Sequence, residues 1–312
     1  MHRIAIVVSP GFQAIGLAAL SAFEMANVTA KKPLYEVSVL SARGGRIAAS
    51  IPGLSVETKR LDKVRYDTVL ITGGLEPAES PKELVEFARR SVGRARRVAS
   101  ICMGAFVLAE AGVLDGREVT THWAAAAALQ ARFPKLKVNS DRIYIVDGAI
   151  WTSAGASAGI DLALGMVERD LGHEVARLVS RKLVLYHRRA GGQSQHSALL
   201  ELDAKSDRVQ LALDFAKRHL AKDLDVEQLA EAARLSPRQF SRVFRAETGQ
   251  SPAKAVEALR VEAARVMMEQ TRHPIEVIAL QTGFGDRERM RRSFLRAFGQ
   301  PPQSIRRGAH AA

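Results

Sequence analysis

The chain has 312 residues, of which 47% are hydrophobic and 25% are charged, so it is long enough for two globular domains. Its formal net charge is +13, a surplus that attracts polyanions, and nucleic acid and anionic membranes are the usual partners. Residues 1–200 hold 26 Lys and Arg against 18 Asp and Glu, and residues 201–312 hold 20 against 15. Because the excess is spread over both parts, charge alone does not indicate which part binds a polyanion.

The cysteine content and the lengths of the apolar segments indicate in which cellular compartment the protein works. The single cysteine, Cys102, excludes an internal disulfide and suits a reducing compartment. The apolar segment 4–8 is too short for the core of a signal peptide, and no segment approaches the roughly 20 apolar residues of a membrane helix. We therefore expect a cytoplasmic protein without a membrane partner.

Short apolar segments alternate with amphipathic segments in the first half of the chain. This alternation predicts an α/β fold with a doubly wound, mostly parallel sheet that helices cover on both faces. Asp147 and Gly148 are typical turn residues and predict a hairpin between strands 142–146 and 149–152. The other predicted strands are 4–8, 35–41, 68–72 and 97–101; the predicted helices are 15–27, 81–92, the segment from 102 to 112, and one that follows the loop 153–159 and ends near residue 171.

Residues 187–206 lose this periodicity and are rich in Gly, Gln, Ser and charged residues. Such a composition is typical of a linker, so we predict one domain over residues 1–186 and a second over residues 207–312. Short connections between helices make the second domain a compact all-α structure. Its predicted helices are 209–219, 226–233, 237–246, 252–270, 275–281 and 287–297.

Segment 225–249 has the pattern of a helix-turn-helix. Ser236 is a good N-cap for the second helix, and Pro237 suits its first position. Phe240 and Phe244 are spaced to share one buried face. The opposite face has no acidic residue and offers donors that read base edges or bind phosphates, although a solvated basic face is the alternative interpretation. Its residues are Arg238, Gln239, Ser241, Arg242 and Arg245.

The pattern recurs in segment 275–299, where Gly283 permits the turn and Asp286 can cap the second helix. Met290 and Phe294 form its apolar stripe. The helix 252–270 between the copies can hold them as a rigid pair, so the two units suit successive major-groove segments roughly 34 Å apart. The residues left outside on the second copy are Arg287, Glu288, Arg289, Arg291, Arg292 and Arg296.

The last hundred residues closely resemble the AraC/XylS family of transcription regulators. The match is A-x-x-x-x-L-S-x-R-x-F-x-R-x-F at residues 230–244, A-x-x-x-G-F at 279–284 and P-x-x-x-R at 302–306, with Met290 and Ser293 as mild departures. The resemblance implies that one recognition helix of each unit reads double-stranded DNA. The DNA-binding residues it implies are Arg238, Gln239, Arg242, Arg245, Arg287, Glu288, Arg291 and Arg292.

A second candidate site lies in the first half of the chain. Cys102 follows a predicted strand and precedes a helix, so its thiol lies at a helix N-terminus, which lowers a thiol pKa and can hold a carboxylate ligand. Ligands of parallel sheets gather beyond the carboxyl ends of the strands. The residues predicted to line such a ligand site are Cys102, Met103, Gly73, Gly74, His122, Trp123 and Gly16.

Residues 3–185 resemble the PfpI-type branch of the class I glutamine amidotransferase-like superfamily. The matching motifs are PGF at 10–12, TGG at 72–74, ASICMG at 99–104, THW at 121–123 and TSAG at 152–155. The resemblance implies a flavodoxin-like domain that senses a ligand and dimerises. With the linker motif GGQSQ at 191–195, the whole chain resembles the GlxA-type regulators, whose members sense small nitrogen compounds such as amino acids and betaines.

The resemblance makes the strand-to-helix turn at residues 101–104 a cysteine elbow. Enzymes of that superfamily place a carboxylate beside the elbow cysteine, but Gly16 stands at the corresponding position and no carboxylate lies before Phe23. Without a base, Cys102 lacks the partner that nucleophilic chemistry needs. We therefore expect a ligand-pocket wall rather than a catalyst, with no cofactor and no metal. Inert packing and a redox or catalytic role, with His122 as a replacement base, stay open as alternatives.

These observations favour a sequence-specific transcription regulator, an activator that answers to a small metabolite such as an amino acid or betaine. We expect it to bind a promoter operator, to form a homodimer through its N-terminal domain and to contact RNA polymerase. One alternative is a cysteine-dependent hydrolase or glyoxalase with a DNA-tethering tail. A non-specific DNA-compacting protein is another, although such proteins need only phosphate contacts.

Overall fold

The computed structural model describes residues 1–185, Gly191, Gln195, residues 206–298 and residues 301–310. The chain divides into an N-terminal unit, residues 1–195, and a C-terminal unit, residues 196–311. Most of the predicted linker 187–206 lies outside the described residues, and its boundaries stay a prediction. Within the described part of the chain, no helix is long and apolar enough to span a membrane.

An eight-stranded, mostly parallel sheet forms the centre of the N-terminal unit, as the alternating pattern predicts. Its strand order is β3-β4-β2-β1-β5-β6-β10-β9, with antiparallel pairs at the two edges, β3–β4 and β9–β10; β7 and β8 form a separate parallel pair. The strands are β1 (His2–Val7), β2 (Tyr35–Ser41), β3 (Gly45–Ala48), β4 (Ser55–Arg60), β5 (Thr68–Ile71), β6 (Arg97–Ile101), β7 (Glu118–Val119), β8 (Lys137–Val138), β9 (Tyr144–Asp147) and β10 (Ile150–Ser153).

One predicted helix of this unit divides into two parts. The segment 15–27 begins as a 3-10 helix and continues as an α-helix, because Gly16 weakens the helix and short 3-10 turns are common at helix N-termini. Gly16 is buried, and a Cβ there would lie 3.4 Å from the Thr72 side chain. The helices are the 3-10 helix (Ala14–Ala19), α1 (Leu20–Ala30), α2 (Lys82–Ser91), α3 (Gly104–Glu110), α4 (Trp123–Arg132), α5 (Ala158–Leu171) and α6 (His173–Lys182).

The sequence pattern misses several elements. The edge strands β3 and β4 are largely solvated and charged, so they lack the apolar signal of the central strands. Helix α4 contains five consecutive alanines, which produce no amphipathic period. Helix α6 is amphipathic but follows α5 after the single residue Gly172, so the two helices are not separated by a recognisable loop.

A buried ionic cluster closes the amino end of the sheet. Asp170, at the end of α5, is fully buried and pairs with the equally buried Arg97 of β6. Arg96 lies 2.8 Å from the same carboxylate, and the Tyr35 hydroxyl donates to it at 3.0 Å. Burial first, and then the Asp170 charge, raise the pKa of Tyr35. Charges buried this deeply are tolerated because each has a partner.

The C-terminal unit is helical, as predicted, and it contains two separate hydrophobic cores. The first core joins α7, α8, α9 and the first half of α10, whereas the second joins the rest of α10 to α11 and α12. The helices are α7 (Asp207–Arg218), α8 (Val226–Ala232), α9 (Pro237–Thr248), α10 (Pro252–Gln270), α11 (Ile275–Gln281), α12 (Arg287–Phe298) and α13 (Pro302–His310).

The ionic cluster leads to a stability prediction. Asp170→Ala leaves Arg97 charged and buried without its partner, and we expect a loss of about 3–5 kcal/mol in unfolding free energy. Urea unfolding followed by tryptophan fluorescence measures this unit, because both tryptophans, Trp123 and Trp151, belong to it. The exposed pair Glu174–Arg177 supplies the control: Glu174→Ala should cost less than about 1 kcal/mol. Equal stability of the two variants would contradict a structural role for the cluster.

Candidate functional site

The first helix-turn-helix consists of α8, a turn and α9. Helix α8 begins at a capping box formed by Asp225 and Gln228, a cap that was not predicted although the D-x-x-Q spacing indicates it. The turn contains Arg234 in a left-handed conformation (φ +54°). Ser236 caps α9, and Gly249 ends it with φ +72°, which confirms the predicted cap and end.

Helix α9 presents its basic face to solvent. Phe240 and Phe244 are buried in the first core, whereas Arg238, Arg242 and Arg245 are exposed. None of these three guanidinium groups has a carboxylate within 4 Å among the described residues, so all three remain able to bind an anion. Gln239, which is also predicted to contact DNA, is exposed as well, but its Oε1 accepts a hydrogen bond from the Ser236 hydroxyl at 3.0 Å as part of the cap.

The second helix-turn-helix consists of α11, a turn and α12. Gly283 in the turn has φ +79°, and Asp286 accepts a hydrogen bond from the backbone N–H of Arg289 at 2.8 Å. Met290 and Phe294 are fully buried. The predicted turn residue, cap and apolar stripe are therefore confirmed.

The exposed face of α12 differs from that of α9 because its charges are partly paired. Arg291 donates two hydrogen bonds of 2.8 Å to Glu288, and those bonds lower the pKa of Glu288. Arg287 lies 3.5 Å from Glu276. Arg292 is exposed, and no described carboxylate lies within 4 Å of it. Of the four residues predicted on this helix, Arg292 is thus the most available to a phosphate or a base.

Cys102 lies at a sharp turn between β6 and α3, as predicted. Its backbone is left-handed (φ +56°), a strained conformation for a residue with a side chain. Its N–H donates to the Ser153 carbonyl at 3.0 Å, and the residue is 4% exposed. Burial raises the pKa of the thiol more than the backbone N–H of Met103 lowers it. The predicted lowering of the thiol pKa by the helix N-terminus is therefore wrong, because the loss of solvation on burial outweighs it.

Glycines allow the backbone to close around this elbow. A Cβ at Gly73 would lie 2.3 Å from the Met103 Cβ, and one at Gly155 would lie 2.2 Å from the Cys102 Cβ. Both positions therefore require glycine. Gly155 belongs to the TSAG motif but is absent from the predicted site, although it covers the cysteine directly. The elbow is packed between the end of β5 and the loop after β10.

The remaining predicted residues surround the same end of the sheet. The Thr121 hydroxyl donates to the Cys102 carbonyl at 2.9 Å, which brings the THW segment to the elbow. His122 caps α4 by accepting the N–H of Ala124, and Trp123 beside it is 52% exposed. Gly74 lies on the opposite side, where a Cβ would approach the Gly11 carbonyl at 3.3 Å.

Gln195 also contacts the THW segment. Its side-chain amide donates to the carbonyl oxygens of Thr121 and Arg142 at 2.8 and 3.0 Å, and its Oε1 accepts the backbone N–H of Trp123 at 2.8 Å. Its small and polar neighbours predict that Gln195 belongs to the linker. Its amide instead fixes the end of the N-terminal unit beside the elbow.

A doubly wound sheet with a cysteine elbow, joined to two helix-turn-helix motifs, defines a DNA-binding transcriptional regulator. Residues 2–169 match the DJ-1/PfpI family, and residues 229–308 match a helix-turn-helix domain. The chain belongs to the family of HTH-type transcriptional regulators in which a DJ-1/PfpI domain precedes an AraC-type helix-turn-helix domain.

Similar proteins share this organisation. The HTH-type transcriptional regulator CdhR of Pseudomonas aeruginosa is 33% identical over 304 residues, which cover 95% of this chain and 89% of CdhR. GlxA of Rhizobium meliloti, another HTH-type transcriptional regulator, is 32% identical over 317 residues, 98% of this chain and 96% of GlxA. The crystal structure of an AraC family transcriptional regulator from Pseudomonas putida covers 59% of this chain and 100% of its own, at 22% identity and a TM-score of 0.55, and it supports the fold.

The raised pKa of Cys102 predicts slow alkylation. Only the thiolate reacts, so iodoacetamide should label the native chain near neutral pH more slowly than the urea-unfolded chain, and the native rate should rise only at alkaline pH. Mass spectrometry measures the label without ambiguity, because the chain has one cysteine. N-acetylcysteine controls for the reagent. Native labelling at pH 7 as fast as in urea would contradict a protonated, covered thiol.

Proposed function

We propose that the chain reads promoter DNA in the cytoplasm with the exposed faces of α9 and α12. The proposal is supported by a pair of helix-turn-helix motifs whose apolar faces are buried and whose other faces carry arginines. Four of these arginines lack a carboxylate within 4 Å among the described residues: Arg238, Arg242, Arg245 and Arg292. Arginine forks suit both guanine edges and phosphates. The proposed contacts are Arg238, Gln239, Arg242 and Arg245 on α9 and Arg287, Glu288, Arg291 and Arg292 on α12.

The effector proposed for the N-terminal unit is a small amine such as an amino acid or a betaine, bound beside the elbow. The exposed indole of Trp123 lies 5.5 Å, centroid to centroid, from the His122 ring, and an indole face attracts an ammonium group. Gly16, Gly73, Gly74 and Met103 are the proposed remaining lining with Cys102. In this proposal the bound chain is a homodimer that activates transcription by contacting RNA polymerase.

We propose that the elbow binds without catalysing a reaction. Gly16 supplies no carboxylate, and burial keeps the thiol of Cys102 protonated near neutral pH. Hydrolase, hydratase or glyoxalase turnover by the full chain, lost in Cys102→Ser, would refute this part of the proposal and leave the DNA contacts untouched.

The DNA contacts predict the behaviour of two substitutions. Arg242→Ala and Arg292→Ala should each weaken binding to DNA selected in vitro by the full chain, by about 1–3 kcal/mol if the side chain reads a base. A phosphate contact would instead weaken binding on every sequence and reduce the salt dependence. Fluorescence anisotropy measures both. Arg208→Ala, an exposed arginine of α7, is the control, and unchanged affinity of both test variants would remove α9 and α12 as the binding face.

The effector proposal predicts ligand-dependent stabilisation. In a thermal-shift screen of amino acids, betaines and other quaternary amines, an effector at 100 times its dissociation constant should add about 2.7 kcal/mol. Trp123→Ala should weaken this effect and leave DNA affinity unchanged, because the exposed indole contributes little to the core. Val146→Ala, an exposed apolar residue of β9, is the matched control. An equal response of wild type and Trp123→Ala would exclude the indole from the site.

A further inference from the structure

The two helix-turn-helix motifs have separate cores that meet on α10. Val256 and Leu259 belong to the first core, and Val261 and Ala264 belong to the second, so the change occurs at Arg260. The shared helix sets the distance between the two cores along its axis, but repacking of either core against it can still change the angle between α9 and α12. Contacts that join the two motifs beside this point therefore decide how α9 and α12 are oriented.

Arg260 makes such a contact. Its Nε donates to the Leu220 carbonyl at 3.2 Å and its Nη2 to the Lys222 carbonyl at 2.7 Å, so one guanidinium satisfies two carbonyls of the connection between α7 and α8. Burial is the main factor that lowers the pKa of Arg260; the nearby charge of Asp223 raises it, and that of Arg289 on α12 lowers it further. The Arg260 side chain is half-buried, and its guanidinium lies close enough to Arg289 of the second recognition helix to sense its charge.

Gly283, in the turn of the second motif, contacts the same place; we call the contacts among Arg260, Leu220, Lys222 and Gly283 the joint. A Cβ at Gly283 would lie 1.8 Å from the Leu220 carbonyl oxygen and 2.7 Å from the Arg260 Nε. Its φ of +79° also disfavours a side chain. The turn of the second motif therefore lies directly on the connection between α7 and α8, whose Leu220 side chain packs against the first core. The Arg260 guanidinium donates to the same Leu220 carbonyl.

A second set of contacts joins α10 to α12. Glu257, in the half that serves the first core, accepts a hydrogen bond from the Ser293 hydroxyl at 2.5 Å and pairs with Arg296, and both of these residues belong to α12. Burial raises the pKa of Glu257, but the hydrogen bonds and charge of Ser293 and Arg296 lower it overall. Helix α12 is thus bound to the half of α10 that packs in the first core, in addition to its packing in the second core.

The geometry assigns Arg260 and Gly283 as positioning residues that fix the separation and angle of α9 and α12, and thereby the spacing of the two DNA segments that the chain accepts. The inference rests on the proposed DNA contacts of those two helices. One extra base pair moves the second segment by about 3.4 Å along the DNA and rotates it by about one tenth of a turn. A rigid pair of recognition helices cannot follow such a change, whereas a loosened pair can.

The DNA experiment uses sites selected in vitro by the full chain and the same sites with one or two base pairs inserted between the two contacted segments. Insertion should weaken wild-type binding by roughly tenfold or more, a loss equal to a mismatched contact. For Arg260→Ala and Arg260→Lys the selected site should bind more weakly and the penalty for insertion should fall to about threefold or less, because lysine cannot span both carbonyls. Arg208→Ala should keep the wild-type penalty.

A distance measurement tests the same joint without DNA. Spin labels at Ser241→Cys on α9 and Leu295→Cys on α12, in a Cys102→Ser background, should give a narrow distance distribution that broadens with Arg260→Ala. Circular dichroism checks that helix content is retained, and Arg260→Lys serves if the alanine variant unfolds.

Distance distributions and insertion penalties equal to wild type in a folded variant would overturn the inference. Absence of sequence-specific binding by wild type would instead refute the proposed function, and the distances would still decide whether the joint is rigid.

Discussion

The shared helix α10 is the constraint on which the DNA-binding unit depends. Each helix-turn-helix contributes only a few large buried side chains, and fragments of this size do not bury enough apolar surface to fold alone. Both motifs complete their cores against α10, whose 19 residues span about 28 Å. That length is comparable to one turn of DNA, so the same helix that stabilises the unit also separates the two recognition helices.

The N-terminal unit depends on a different constraint, the close approach of backbone to backbone at the elbow. Gly73 and Gly155 allow the ends of two strands to close around Cys102, and this packing removes the thiol from water. The sheet places Cys102 where α/β proteins bind ligands, but its raised pKa suits recognition better than nucleophilic chemistry. In the proposed function, this enzyme-like fold serves as the frame of a binding site.

The positive charge is divided between different tasks. In the N-terminal unit Arg96 and Arg97 neutralise the buried Asp170, so part of the excess is structural. In the C-terminal unit the arginines of α9 are exposed and lack a described carboxylate partner, whereas Arg291 on α12 is occupied by Glu288. Two regions of similar net charge thus differ in how much of it a polyanion can reach, which is why the charge totals did not locate the DNA-binding part.

Elements whose signal is local follow from the amino-acid sequence alone. Ser236, Pro237 and Gly249 bound α9 because capping depends on neighbouring residues, and apolar periodicity identified the central strands and the two helix-turn-helix motifs. Contacts between distant segments become visible only in the folded chain: the covering of Cys102 by Gly155, the docking of Gln195 on the THW segment, and the contacts of Arg260 with Leu220 and Gly283. Such contacts leave no periodic trace in the chain, because the residues that make them are brought together only when the cores pack.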